Sequence, residues 1–318
     1  VSTVSGPFYS RRRFLRQLLG AGVFAAGGFD WVRAQTSPGA PEAFRFAFVT
    51  DLHLMKDETL RSAQGIAACL GAVEKLNPRP DFILCGGDLV HLAREMTIAE
   101  AEQQLNLFLR IWSDSTALPV RWVFGNHDLV GTSNPDVSPA NPHYGKGLFR
   151  DRLGLPHLYY DFEHRGWRFI ILDDISPQAD QTYIGQIFDD ELAFTRAEFT
   201  AAAAVPTIVS THIPLFSNLP LGFKLMHPEQ PTTNLVCSNS GALTGLFPGH
   251  DVRAVLCGHL HHYEPLMIGG IPFVNSGAVC GNYWRGAMMG CPEGFGVVDV
   301  AADGAVKFAY RDYGWRAG

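Results

Sequence analysis

Apolar and polar positions along this chain follow two periods in turn: short apolar runs closed by glycine, proline or aspartate, and longer segments with a helical repeat. Phe44 to Thr50 reads as a strand, and Glu58 to Leu76 as a helix with Ile66, Cys69, Leu70, Val73 and Leu76 on one face. Phe82 to Cys85 is a short buried strand. Ile98 to Trp112 is a second helix with Ile98, Ala101, Leu105, Phe108 and Trp112 inward, and Val120 to Phe124 is the next strand. Tyr159 to Phe162 and Trp167 to Leu172 read as a hairpin turning near Arg165-Gly166, followed by a third helix over Asp190 to Ala203. Val205 to Ser210, a short helix near Ser240 to Phe247, and Val252 to Cys257 continue the alternation. Beyond Tyr263 only short strands remain, at Pro265 to Ile268, Pro272 to Asn275, Gly296 to Val300 and Val306 to Tyr310, with Asp303-Gly304 as a hairpin signal. Two sheets packed face to face, with helices outside, accommodate both halves of this α/β pattern.

Five of the apolar runs lead straight into polar clusters: FAFVTDLH, FILCGGDLV, WVFGNHDL, TIVSTHIP and VLCGHLHH. They supply Asp51, His53, Asp88, Asn126, His127, His212, His259 and His261. Nitrogen and oxygen donors in this mixture suit two borderline or hard divalent cations rather than thiolate chemistry. Ligands of open α/β sheets gather outside the carboxyl ends of strands, which is where all five clusters fall. Gly86-Gly87, Gly125 and Gly258 let the backbone turn sharply and approach the metals with no Cβ in the way. One such cluster is an ordinary turn; five in this order point to a binuclear metal hydrolase.

Composition narrows the setting. At 318 residues and 47% hydrophobic the chain can bury a large core, and 18% charged residues exclude bulk disorder. The first 34 residues hold five Arg and a single acid, Asp30, so the remainder carries 20 basic against 30 acidic side chains. A body that acidic argues against nucleic acid as a bulk partner. Residues 1–34 resemble a twin-arginine export signal: Ser10-Arg11-Arg12-Arg13-Phe14-Leu15, a mild apolar run from Leu18 to Phe29, and a cleavage-compatible Val32-Arg33-Ala34. The apolar run is too short and weak to span a membrane, and its glycines disfavour a stable amphipathic helix. The expectation is a protein handed to the twin-arginine machinery and exported to the periplasm, with a flexible lead-in over 35–43 and one domain over 44–318. Cys85 and Cys257 read as buried small hydrophobes, whereas Cys280 and Cys291 flank a loop and could pair after export. No CxxC spacing supports a zinc ribbon.

Asp51-x-His53, Gly87-Asp88, Gly125-Asn126-His127-Asp128, His212 followed by Pro214, and Gly258-His259-x-His261 occur in that order over about residues 44 to 265. Together they resemble the complete signature of the calcineurin-like metallophosphoesterases. The resemblance implies a four-layer αββα sandwich, two mixed β-sheets face to face with helices outside, around two divalent ions of manganese, iron or zinc. It implies Asp51, His53, Asp88 and His261 on one metal, and Asp88, Asn126, His212 and His259 on the other, with Asp88 bridging. Two divalent cations set against Asp51, Asp88 and a bridging hydroxide leave about one net positive charge, suited to clamping phosphoryl oxygens during in-line attack. By the same resemblance His127 faces the substrate, stabilising the transition state or protonating the leaving oxygen. Asp128 would raise the His127 pKa or fix its tautomer. His91 stands where the purple acid phosphatase branch carries a metal-binding Tyr, which, with His53 present, argues against that branch.

Several residues admit two readings. His91 and His262 are either supporting or substrate contacts, or ordinary loop histidines; Asp173-Asp174 ends a strand and caps a turn. Tyr283-Trp284-Arg285 either clamps a nucleotide or packs into the core. The stretches Gly131 to Gly147, Asp174 to Phe188 and Pro214 to Asn239 are expected to form the rim as structureless connections. The third carries Phe216, Leu219, Phe223, Met226 and His227, an apolar collection that suits contact with the base or lipid part of a small-molecule phosphate ester and equally suits packing over the sheet. No Arg pair stands ready for a terminal phosphate dianion, and motif spacing resembles the cyclic nucleotide phosphodiesterase branch. The expected activity is therefore a phosphodiesterase on a small diester such as a cyclic nucleotide. A phosphomonoesterase or broad phosphatase is the first alternative, and a catalytically inactive binding protein of the same fold the second.

Overall fold

The apolar runs sort into two six-stranded sheets in a computed structural model that describes residues 42–226 and 234–316, with the backbone of Asp30–Trp31. The twin-arginine motif and most of the lead-in read over 35–43 lie outside the described residues. Strands are numbered in chain order: β1 (Asp30–Trp31), β2 (Phe44–Val49), β3 (Phe82–Cys85), β4 (Val120–Trp122), β5 (Tyr160–His164), β6 (Trp167–Ile171) and β7 (Ile175–Pro177). They continue with β8 (Tyr183–Gly185), β9 (Thr207–Ser210), β10 (Val252–Cys257), β11 (Glu264–Ile268), β12 (Ile271–Asn275), β13 (Gly294–Val300) and β14 (Val306–Asp312). The helices are α1 (Ser62–Glu74), α2 (Ile98–Ser115), α3 (Gly147–Arg152), α4 (Asp189–Ala201), α5 (Leu219–Met226) and α6 (Ser240–Thr244).

One sheet runs β1-β14-β13-β2-β3-β4 and the other β11-β12-β10-β9-β6-β5. Parallel pairing of β2 with β3 and β3 with β4, and of β6, β9, β10 and β12 in turn, sends the strands that precede all five polar clusters toward one edge. Side-chain alternation then decides the layers. Along β2, Phe46 and Phe48 turn inward to Phe169, Ile171, Ile208 and Leu256 of the facing sheet. Ala47 and Val49 turn outward beneath α1 and α2, against Ile66, Leu70, Leu105 and Phe108. In the second sheet Ile170, Val209 and Val255 face the opposite way, toward Phe199 of α4 and Leu243 of α6. The result is the expected helix–sheet–sheet–helix order. Phe46 and Phe82 of the first sheet each meet Phe169 of the second edge-on, with centroids 5.4 Å apart, and lock the two sheets together.

Several expectations need correction. The first helix does not begin at Glu58: a 3-10 turn at Glu58–Leu60 ends at Arg61, whose φ of 54° breaks the helix before Ser62. The rim stretches are not structureless, since the second folds into the β7–β8 hairpin and the third contains α5. His227 lies outside the described residues. Cys280 and Cys291 are both free, and Cys280 packs instead with its Sγ 3.7 Å from His261 Nδ1. Trp284 belongs to the core rather than to a clamp: it is buried, and its indole N–H donates to the carbonyls of Leu52 (3.1 Å) and His53 (2.9 Å).

That indole lies on α1 at Gly65, where an added Cβ would come within 2.1 Å of a Trp284 ring carbon. Glycine inside a helix normally costs up to about 1 kcal/mol relative to alanine. Overpacking a ring held by hydrogen bonds costs about 1–3 kcal/mol. The second effect wins, so Gly65→Ala is expected to lower the urea unfolding midpoint; a raised midpoint would show that Trp284 can move aside freely.

Candidate metal centre

Both sheets deliver their ligands through backbone that ordinary residues avoid. Asp51 (φ 56°), His53 (φ 42°), Asp88 (φ 53°), His259 (φ 71°) and His261 (φ 54°) all lie in the left-handed region. Each such residue costs on the order of 1–3 kcal/mol and persists only where surrounding structure over-determines it. Here the constraint is visible: the amides of Leu52 and His53 both donate to the Asp88 carbonyl, and that of Asp51 donates to the carbonyl of Gly87. Two glycines allow the approach. A Cβ on Gly125 would sit 2.2 Å from Asp88 Oδ1, and one on Gly258 would sit 2.5 Å from Asp51 Oδ2.

Backbone carbonyls assign the ring nitrogens, because a carbonyl can only accept. His212 Nδ1–H donates to Gly86 O (2.7 Å), His261 Nδ1–H to Gly281 O (2.6 Å), and His259 Nε2–H to Asn234 O (2.9 Å). The remaining nitrogen of each neutral ring carries its lone pair inward. His261 Nε2 meets His53 Nε2 at 3.0 Å and Asp51 Oδ1 at 3.4 Å. Asp88 Oδ2 lies 3.4 Å from His53 Nε2 and 3.3 Å from His212 Nε2, between the two groups. Asn126 Oδ1 lies 3.0 Å from His212 Nε2 and 2.8 Å from His259 Nδ1. The structure thus brings together all seven residues expected to hold metal, in two sets that share Asp88.

Electrostatics asks for positive charge between them. Burial opposes ionisation of Asp51 and Asp88, yet the facing imidazoles, chiefly His261 and His212 respectively, hold both carboxyls below the usual range. Burial also pushes His212 down, but Asp88 and then Asp51 drive it up to about 10. His53 is held down by burial and then by His127, and His259 down to about 4 by burial and then by His212, which leaves both as unprotonated donors. Buried carboxylates opposed to imidazole nitrogens at 3.3–3.4 Å, with two imidazole nitrogens 3.0 Å apart, fit a pair of divalent cations.

His127 and Asp128 divide the work differently from the expectation. Asp128 accepts from the amides of Leu89 (2.9 Å) and Val90 (3.3 Å) through Oδ1 and from that of Gly125 (3.1 Å) through Oδ2. Both oxygens therefore brace the two ligand loops, and the Leu92 amide, donating to His127 Nδ1 at 3.2 Å, fixes that tautomer instead. The His127 pKa is lowered, by burial first, rather than raised. The proton of neutral His127 consequently rides on Nε2.

Other residues gain roles that local sequence did not reveal. Asp174, read as a turn cap, is fully buried and accepts from the amides of His212 and Ile213 at 3.2 Å each. The available signal was its position at the same sheet edge as the five clusters. Tyr283 packs its ring 4.9 Å from His53 and 4.7 Å from His261, and Tyr183 lies 6.2 Å from His259 on the other side. His91 contacts His53 and stacks on His127, with centroids 5.1 Å apart. His262 Nδ1 is buried without a hydrogen-bond partner among the described residues.

A probable cyclic nucleotide phosphodiesterase of Rhodococcus erythropolis is 25% identical over 240 residues, 73% of this chain and 69% of the relative. The human serine/threonine-protein phosphatase CPPED1 is 27% identical over 252 residues, covering 76% of this chain and 70% of its own. The crystal structure of a dimetal phosphatase from Danio rerio superposes with a TM-score of 0.55 at 14% identity, over 85% of this chain and all of that one, a likeness of fold. The calcineurin-like phosphoesterase profile matches residues 44–263, the span that carries every ligand named above. On that match this chain belongs to the calcineurin-like phosphoesterase family.

Proposed function

We propose that this protein is a binuclear metal-dependent phosphodiesterase acting on a small diester such as a cyclic nucleotide. The observation that carries the reading is Asp88 Oδ2, set 3.4 and 3.3 Å from the donor nitrogens of two otherwise separate ligand groups. Two divalent cations bound there supply charge to phosphoryl oxygens and acidify water. The protein's own contribution is to hold seven donors in place through strained, glycine-flanked loops and to keep His127 beside them. His127 Nε2–H is the proton available to a leaving oxygen, since Nδ1 is occupied by the Leu92 amide. Tyr283 and Tyr183 wall the site on opposite sides and supply faces on which the organic part of a diester can rest. The named activity of the Rhodococcus relative supports this choice.

A phosphomonoesterase is the second reading, and one residue favours it. Arg94 has a buried Nε without a hydrogen-bond partner among the described residues, and its charge helps to depress His127. The guanidinium pairs with Glu95 at 3.7 Å through its terminal nitrogen, and the remaining Nε–H donor suits a phosphate dianion. The human relative is named a phosphatase.

Turnover of bis-nitrophenyl phosphate is expected to exceed that of nitrophenyl phosphate, and both are expected to disappear with chelator and return with manganese. Preference for the monoester, falling on Arg94→Ala, would favour the second reading; chelator-insensitive turnover would sink both. Metal should also stabilise the fold: at a hundredfold excess over Kd, linkage is worth about 2.7 kcal/mol. Melting temperature should accordingly rise with added manganese in the wild type and respond little in Asp88→Asn. For His127→Ala, loss on the order of 10² to 10⁴ is expected on esters with poor alcohol leaving groups and much less on nitrophenyl esters. Equal losses on both classes would remove His127 as a proton donor.

A further inference from the structure

His91, three residues beyond Asp88, makes three contacts that the metal ligands do not account for. Its Nδ1 lies 3.3 Å from Nδ1 of His53. Its ring stacks on His127 at a centroid distance of 5.1 Å and an angle of 19°, and meets Tyr283 edge-on at 5.3 Å. The His91 amide donates to the Leu54 carbonyl at 3.0 Å, which ties the residue to the strand extension that carries His53.

His53, His91 and His127 bring one nitrogen each within 4.8 Å of the others, a spacing that would admit a further metal ion. The chemistry of His53 decides against it. A neutral imidazole has one lone pair. His53 Nε2 faces His261 Nε2, Asp88 and Asp51 at 3.0, 3.4 and 3.9 Å, so its lone pair belongs to the metal pair. Nδ1 of His53 therefore carries the proton, and a group must accept it. His127 Nδ1 is already taken by the Leu92 amide. His91 Nδ1 is the acceptor within reach.

We propose that His91 is a positioning residue that accepts the Nδ1–H of His53, and so sets the tautomer and ring orientation of this metal ligand while stacking on His127. A histidine here does what a carboxylate or backbone carbonyl does behind most metal-binding imidazoles. Acceptance at Nδ1 leaves the proton of His91 on Nε2, so His91 and His127 present parallel rings in the same tautomer. One side chain thereby couples the metal ligand on one side to the substrate-facing histidine on the other. This inference rests on the binuclear reading above.

Manganese binding measured by equilibrium dialysis with elemental analysis separates the two. Wild type is expected to hold two ions per chain; fewer would remove the binuclear reading and this inference with it. His91→Phe keeps a ring against His127 but removes the acceptor, and should weaken one of the two ions by about 10- to 100-fold. His91→Ala, which adds no bulk, should weaken the same ion. His91→Asn places an amide oxygen near the Nδ1 position and should restore binding close to wild type. Unchanged binding of both ions in the Phe and Ala variants, or an Asn variant as weak as they are, would overturn the proposal. So would a third ion in wild type that is lost on substitution of His91.

Discussion

Two carboxylates, Asp51 and Asp88, are buried among imidazoles whose lone pairs point at them and at one another. Taking an ionised carboxylate out of water costs several kcal/mol unless positive charge accompanies it. A proton on His212 meets part of that demand in the protein alone, which is why Asp88 and then Asp51 drive that imidazole upward against its own burial. Two bound cations would meet it fully and would also relieve the 3.0 Å approach of His53 Nε2 and His261 Nε2. This single constraint accounts for the density of bracing around the site. Asp128 ties the Leu89-Val90 loop to Gly125, Asp174 holds the His212 loop, and Gly86, Gly281 and Asn234 each spend a carbonyl on orienting a ring.

Such a site needs a stiff support, and the two-sheet sandwich supplies one. Left-handed backbone at five ligands is affordable only because the strands that lead into it are buried on both faces. Aromatic packing between Phe46, Phe82 and Phe169 fixes one sheet against the other, so ligands from both arrive in register at the shared edge. Trp284 extends the coupling across the first sheet's helical layer. Its ring fills the space at Gly65 of α1, and its N–H holds the carbonyls of Leu52 and His53.

What sequence made legible was whatever local order determines. Apolar runs ending in Asp, His or Asn located the strands, their sheet edge and the polar side chains that meet there, because each signal lies within about eight residues. The start of α1 was not legible, since Arg61 sits over the Trp315 ring and Gly65 packs under Trp284, both from the far end of the chain. Asp174 looked like a turn cap because its partners, the His212 and Ile213 amides, come close only once β6 and β9 pair. Asp128 was linked to its neighbour His127 on adjacency, whereas the fold turns it toward amides of another loop. The hairpin β7–β8 and helix α5 were missed because their patterns are short, and the hairpin is also held by Ser238, whose hydroxyl donates to the Gly185 carbonyl.

The central claim is that two cations share Asp88. Anomalous diffraction from crystals of the manganese-loaded protein tests it most directly. Two peaks are expected about 3.5 to 4 Å apart, one near His53 and His261, the other near Asn126, His212 and His259, with the Asp88 carboxylate between them. A single peak, or two peaks that Asp88 does not join, would contradict it.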